Sequence, residues 1–234
     1  MIIGNYATSA ALIGSFYGKP ARASPISAKY RARAEMLAGK TEKPYGAWPS
    51  PVTAKFITGS STRLGSLALD DKDGLHWLEG RPQEKGRQAV VRYEPSSPSA
   101  SERGAVEVTP SDVNVRTRVH EYGGGAYAMA PSAVGGGVVY SDFMSQRLYH
   151  LKGDGSAPVC LTPEATCPDG RYRFADGCFD PTLGYVCVRE DHLDPKPANV
   201  VNEVVAVPLD GSGDVRLLAT GADFFAHPRV SPDG

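Results

Sequence analysis

The chain has no Cys-x-x-Cys pair, no long apolar run and almost no net charge, and each absence removes a class of function. Its 234 residues carry 25 basic and 26 acidic side chains, a net charge of −1. That balance leaves no basic footprint for nucleic acid or for an anionic membrane at the level of the whole chain. No apolar run approaches the roughly 18 residues that a membrane-spanning helix needs. The four cysteines, Cys160, Cys167, Cys178 and Cys187, are not at zinc-site spacing from one another or from histidine. Free thiols in a reduced compartment are therefore expected. Cys187, inside the apolar run Tyr185-Val186-Cys187-Val188, reads as a small core residue.

Turn formers and strand formers are abundant instead. Gly and Pro number 26 and 19, and Tyr, Val and Thr recur in short runs, which suits many short strands better than long helices. The first 40 residues differ: Lys19, Arg22, Lys29, Arg31, Arg33 and Lys40 face only Glu35, among many Ser and Ala. An acid-poor, Arg- and Ser-rich start has the composition of an organelle transit peptide; a disordered leader or a mis-assigned start is the plainer alternative. Residues 1–41 are read as this leader, with a weak helical pattern over Tyr30–Leu37. The expected location is cytoplasmic, or plastid or mitochondrial if the leader is a transit peptide. Lys43 to Pro51 is a proline-rich extended connector with Trp48 as a candidate buried anchor.

Beyond it a theme repeats. Leu64–Leu69, Leu75–Leu78, Gln88–Tyr93 and Val106–Pro110 form one set of strand-sized segments. Gly125–Met129, Val138–Ser141, Gln146–His150 and Pro158–Pro163 form the next. Phe174–Phe179, Tyr185–Arg189, Asn202–Leu209 and Val215–Ala219 form the third. Acidic-Gly turns such as Asp70–Gly74 and Asp210-Gly211 separate them. Four short strands every 50 to 60 residues is close to the period of a propeller blade with long loops. The expected fold is all-β: a partial β-propeller of about three four-stranded blades over residues 42–234, with Ser231-Pro232-Asp233-Gly234 opening a fourth. A blade is stable only when stacked on neighbours, so open blade faces predict self-association.

The most distinctive stretch is Asn114–Tyr127, Asn-Val-Arg-Thr-Arg-Val-His-Glu-Tyr-Gly-Gly-Gly-Ala-Tyr. A glycine run feeding a period-2 segment reads as a loop entering a strand, not as a phosphate loop opening a helix. On an alternating strand Arg116, Arg118 and His120 share one face and Glu121 takes the other. Two readings follow. The residues form a peptide-entrance or interdomain site, in which guanidinium groups clasp a carboxylate or carbonyl and Glu121 receives a free amino group. Alternatively they form an ion-pair knot that fixes blade packing. A zinc-peptidase reading of His120-Glu121 fails, because the second histidine it needs would fall on Gly124. Glu190-Asp191-His192 reads as a solvated loop in preference to a metal site, and Asp70, Asp71 and Asp73 as turn chemistry. His76, His150 and His227 show no evident partners. No catalytic residue, metal or cofactor is expected in this chain.

Five segments together resemble the propeller of the prolyl oligopeptidase family, in its acylaminoacyl-peptidase-like and dipeptidyl-peptidase-like branch. They are Tyr45–Pro51, His76–Pro82, Asn114–Tyr127, Val201–Ala206 and Arg229–Gly234, in the family's order. The resemblance implies a serine peptidase in which a propeller caps an α/β-hydrolase domain and admits only short peptides. It also implies a nucleophilic Ser with Asp and His C-terminal to the propeller. This chain contains no Gly-x-Ser-x-Gly elbow, so none of those residues can be assigned and the chain alone is expected to be inactive. Its partner would be a peptide substrate, met through a hydrolase domain absent from the chain. The alternatives are a stand-alone scaffolding propeller and a truncated product with no stable fold.

Overall fold

The computed structural model describes residues 43–47, 49–59, 61–98, 100–101, 104–168, 170–194 and 196–231. The leader, Trp48 and Pro232–Gly234 lie outside the described residues. The chain divides into two units, Met1–Thr53 and Ala54–Gly234. The described part of the first contains a turn closed by the Ala47 N–H on the Pro44 carbonyl (3.0 Å).

The second unit opens with a five-residue helix, α1 (Ala54–Thr58), followed by three four-stranded antiparallel sheets. The first sheet is β1 (Arg63–Leu69), β2 (Leu75–Arg81), β3 (Arg87–Tyr93) and β4 (Ala105–Glu107). The second is β5 (Tyr127–Met129), β6 (Val138–Ser141), β7 (Leu148–Leu151) and β8 (Val159–Cys160). The third is β9 (Tyr172–Asp180), β10 (Gly184–Asp191), β11 (Val201–Val207) and β12 (Arg216–Thr220). Every sheet is a meander in chain order. The expected strands are all present, with their ends moved. Among the described residues after β12 there is no strand.

The turns have the chemistry their sequences announce. Asp70 accepts from the N–H groups of Lys72 (2.9 Å) and Gly74 (2.7 Å), an Asx turn between β1 and β2. Two shortened strands share one cause. Val108-Thr109-Pro110 and Leu161-Thr162-Pro163 end the first two sheets, and a proline cannot donate to a ladder. The threonine hydroxyl takes over: Thr109 Oγ1 accepts from the Val90 N–H (3.2 Å) and Thr162 Oγ1 from the Leu148 N–H (2.9 Å). Both threonines are buried, so each hydroxyl pairs an N–H that would otherwise be orphaned.

The core lies between sheets. Val90, Val115, Tyr127, Val138 and Tyr140 fill the space between the first and second, and Val139, Leu148, Phe174, Tyr185 and Val205 that between the second and third. Burying each such side chain stabilises the fold by about 1.5–3 kcal/mol. The edges are different: β1 is almost wholly exposed and β12 entirely so. The innermost strands are stitched to one another. The Tyr127 hydroxyl donates to the Ser66 carbonyl of β1, and the Asp176 N–H of β9 donates to the Gly125 carbonyl before β5 (2.8 Å). Burial pushes the Tyr127 phenol up to about 12. Cys187 is fully buried, and all four cysteines are free thiols. No helix among the described residues is long and apolar enough to cross a membrane.

Candidate functional site

Between β4 and β5 the chain runs as a strap across the first two sheets. The Val115 N–H donates to the Gln88 carbonyl (2.8 Å) and the Arg116 N–H to that of Ser141 (3.1 Å). Only Val115 forms a ladder bridge, to Asp142. The period-2 pattern nevertheless persists: Val115, Thr117 and Val119 are buried, while Arg116 and Arg118 face outward. Both guanidinium groups lie over the ring of Phe143, 4.8 and 4.4 Å from its centroid. Among the described residues no carboxylate pairs with either. An aromatic face does what a carboxylate was expected to do, accommodating two neighbouring cations through its negative quadrupole.

The shared face ends at His120. His120 and Glu121 have φ of 56° and 65°, and the Glu121 N–H closes a turn on the Arg118 carbonyl (2.9 Å). The expectation that His120 lies beside the arginines is thus corrected: a left-handed backbone swings its ring inward. There Glu190 Oε1 accepts from the His120 N–H (2.8 Å) and lies 3.1 Å from its Nδ1, while His192 Nε2 lies 2.9 Å from Oε2. Glu190 is buried. The solvated-loop reading of Glu190-Asp191-His192 is therefore wrong, because the antiparallel ladder of β10 continues through Asp191 and carries Glu190 into the interior. Glu121 stays exposed and accepts from Arg173 (2.7 Å), which also donates to the Arg118 carbonyl (2.9 Å). The Arg173 hydrogen bond holds the Glu121 carboxyl below its ordinary range. Glu121 thus pairs with Arg173, whereas Arg116 and Arg118 form no ion pair among the described residues.

The glycines that follow allow close approach. A Cβ on Gly125 would sit 2.8 Å from Asp176 Oδ1, the atom that accepts the Gly125 N–H. The histidines without evident partners have them. His76 Nδ1 is 3.0 Å from the Gly74 carbonyl, His150 Nε2 2.9 Å from that of Gly136, and His227 Nδ1 3.8 Å from Asp176. No group of three His, Cys, Asp or Glu side chains among the described residues could hold a metal.

A cleft of about 610 Å³ opens beside this turn, lined by His120, Glu121, Glu190 and His192 on one side and by Val201, Asn202 and Phe224 on the other. Arg173 and Asn202 were not singled out from sequence. The signal for Asn202 was present: the polar pair Asn202-Glu203 interrupts an apolar strand. Glu203 pairs with Arg189 (2.6 Å), whereas the Asn202 side-chain oxygen is buried without a hydrogen-bond partner. In a meander the β2–β3, β4–β5, β6–β7 and β10–β11 connections all fall at one end of the sheets. The strap, Phe143, Glu190 and Asn202 all sit at or beside that end.

Three meander sheets stitched through their innermost strands define the arc of a β-propeller. No protein-family model and no curated protein matches the chain. Solved structures do. A puromycin-hydrolyzing peptidase of Mycobacterium tuberculosis is 33% identical over 83% of this chain and 28% of its own, with a TM-score of 0.66. A puromycin hydrolase is 34% identical over 83% of this chain and 30% of its own, with a TM-score of 0.67. A mutant puromycin hydrolase complexed with PGG is 36% identical over 82% and 30%, with a TM-score of 0.66. The chain belongs to the prolyl oligopeptidase family and corresponds to part of its propeller. It spans about 30% of the length of the peptidases it matches.

Proposed function

We propose that the chain serves as a non-catalytic propeller part of a serine-type peptidase acting on short peptides, and that it restricts access to a hydrolase domain. The observation that carries this reading is identity of 33 to 36% to puromycin-hydrolyzing enzymes, confined to 28 to 30% of their length. A rigid stack of blades excludes folded proteins by size, while a substrate that fits is selected by contacts near the reacting bond. Arg116 and Arg118 suit the entrance: exposed over the Phe143 ring and without a carboxylate partner among the described residues, they remain available to a peptide carbonyl or carboxylate.

The test is a chimera in which residues 54–231 replace the matching region of a puromycin hydrolase. The expected result is hydrolysis of dipeptide and tripeptide amides with no cleavage of an unfolded protein, and no hydrolysis by the chain alone. A chimera that folds and cleaves long unfolded chains as readily as short peptides would exclude the gating role.

A further inference from the structure

We propose that the hollow between the start of the strap and the second sheet binds a guanidinium group, that of an arginine. Its volume is about 490 Å³, the size of a small ligand site, and it shares no lining residue with the His120 cleft. Tyr140 of β6 and Tyr149 of β7 line it, their rings stacked with centroids 5.6 Å apart. Tyr140 is 1% exposed, and its hydroxyl has no hydrogen-bond partner among the described residues. Unlike the Asn202 side-chain oxygen or His120 Nδ1, this hydroxyl is not sealed in the interior. A polar group on so buried a side chain is nearly always paired, so its partner must come from the hollow. The charges around it select the kind of partner. Asp112 and Asp142 are the charged residues of the lining. The Asp112 carboxylate accepts no hydrogen bond among the described residues, and Asp142 Oδ1 has only the Asn114 N–H at 3.5 Å. Burial first, then Asp142, Tyr149 and Asp112, push the Tyr140 phenol well above its ordinary value. The phenol therefore stays a neutral hydroxyl between two carboxylates, a setting that repels an anion and favours a cation. Pro110, Val113 and Pro158 make the remaining wall apolar. A guanidinium suits such a wall better than an ammonium: it is planar and more weakly hydrated, and its fork of N–H donors serves several acceptors at once.

This site does not depend on the peptidase reading. N-acetylarginine amide, N-acetyllysine amide and N-acetylcitrulline amide are titrated into the full chain by calorimetry. Citrulline keeps nearly the shape of arginine and loses its charge. The arginine probe should bind, the lysine probe should bind at least about fivefold more weakly, and the citrulline probe should not bind. Tyr140→Phe removes only an unpaired hydroxyl, so Tm should hold while arginine binding falls about tenfold. Asp112→Asn, at an exposed position, should also weaken binding and flatten its dependence on salt. Free arginine distinguishes the source of the group. Binding as tight as that of the capped probe would assign the site to a free guanidinium compound. Weaker binding, through repulsion of its carboxylate, would assign it to an arginine side chain on a polypeptide. Either result supports a guanidinium site. No binding of the arginine probe, equal binding of the lysine or citrulline probe, or unchanged affinity in Tyr140→Phe would overturn the proposal. If Tyr140→Phe does not fold, Asp112→Asn and the citrulline contrast decide.

Discussion

His120 meets Glu190 through two atoms: its backbone N–H donates to Oε1 at 2.8 Å, and its ring Nδ1 lies 3.1 Å from the same oxygen. The two residues are 70 positions apart, on the strap between the first two sheets and on the third. Glu190 also takes His192, so one buried carboxylate secures the whole turn. Glu190→Ala leaves the buried His120 N–H and the His192 imidazole without their partner. The expected loss is about 2–3 kcal/mol, read as a fall in Tm of about 5–10 °C. A change within about 0.5 kcal/mol would show that the turn is held by other means.

Glu107 gives the pH dependence. Its carboxyl sits between Arg81 (2.5 Å) and Arg87 (2.8 Å). Burial pushes its pKa up, but the two guanidinium groups outweigh burial and hold it below the ordinary value of 4.5. A carboxyl whose pKa is lower folded than unfolded stabilises fully above its unfolded pKa and loses that contribution as pH falls through the folded one. Glu107→Gln should therefore cost about 1–2 kcal/mol near neutral pH. The gap from the parent chain should close as pH drops below about 4. Denaturant melts at several pH values check this, and a gap that widens in acid would contradict it.

Gly125→Ala tests the close approach of the second and third sheets. The added methyl would lie 2.8 Å from Asp176 Oδ1 and 3.4 Å from its Cα, so the innermost strands must part. A loss of about 1–3 kcal/mol is expected, with the hydrogen bond from the Asp176 N–H to the Gly125 carbonyl opening first in hydrogen exchange. Unchanged protection of the Asp176 amide would show that the strands tolerate the methyl.

The exposed edges carry the association prediction. Leu64, Leu67 and Leu69 on β1 and Leu217 on β12 are all largely exposed, an apolar edge of the kind that pairs with other chains. The chain alone should bind hydrophobic dyes and show a mass above that of a monomer in light scattering, and Leu67→Lys should lower both. A compact monomer that melts sharply and leaves the dye dark would contradict this.

The strands were legible because their signals are local. Period-2 patterning and Asp-Gly turns place β2, β3, β6 and β10 nearly where they occur. The ends were not legible where a side chain substitutes for the ladder, as Thr162 does for Leu148. The site was legible only in part. Arg116 and Arg118 follow from alternation, but the turn at His120 depends on a left-handed backbone that a histidine adopts here because Glu190 holds it. Arg173, Glu190 and Asn202 enter the site from 50 or more residues away, brought there by stacking of sheets. The helix α1, five residues between Thr53 and Gly59, is too short to show a helical period, and the proline-rich stretch before it reads as extended.

Whether the Arg118 end of this propeller meets substrate is decided by the kinetics of one variant. In the chimera, Arg118→Glu should raise KM for a tripeptide amide about tenfold with kcat nearly unchanged, the mark of lost ground-state binding. Its Tm should move little, because Arg118 is exposed and forms no ion pair among the described residues. An unchanged KM together with a Tm lowered by several degrees would contradict the account and assign Arg118 to the packing of the sheets.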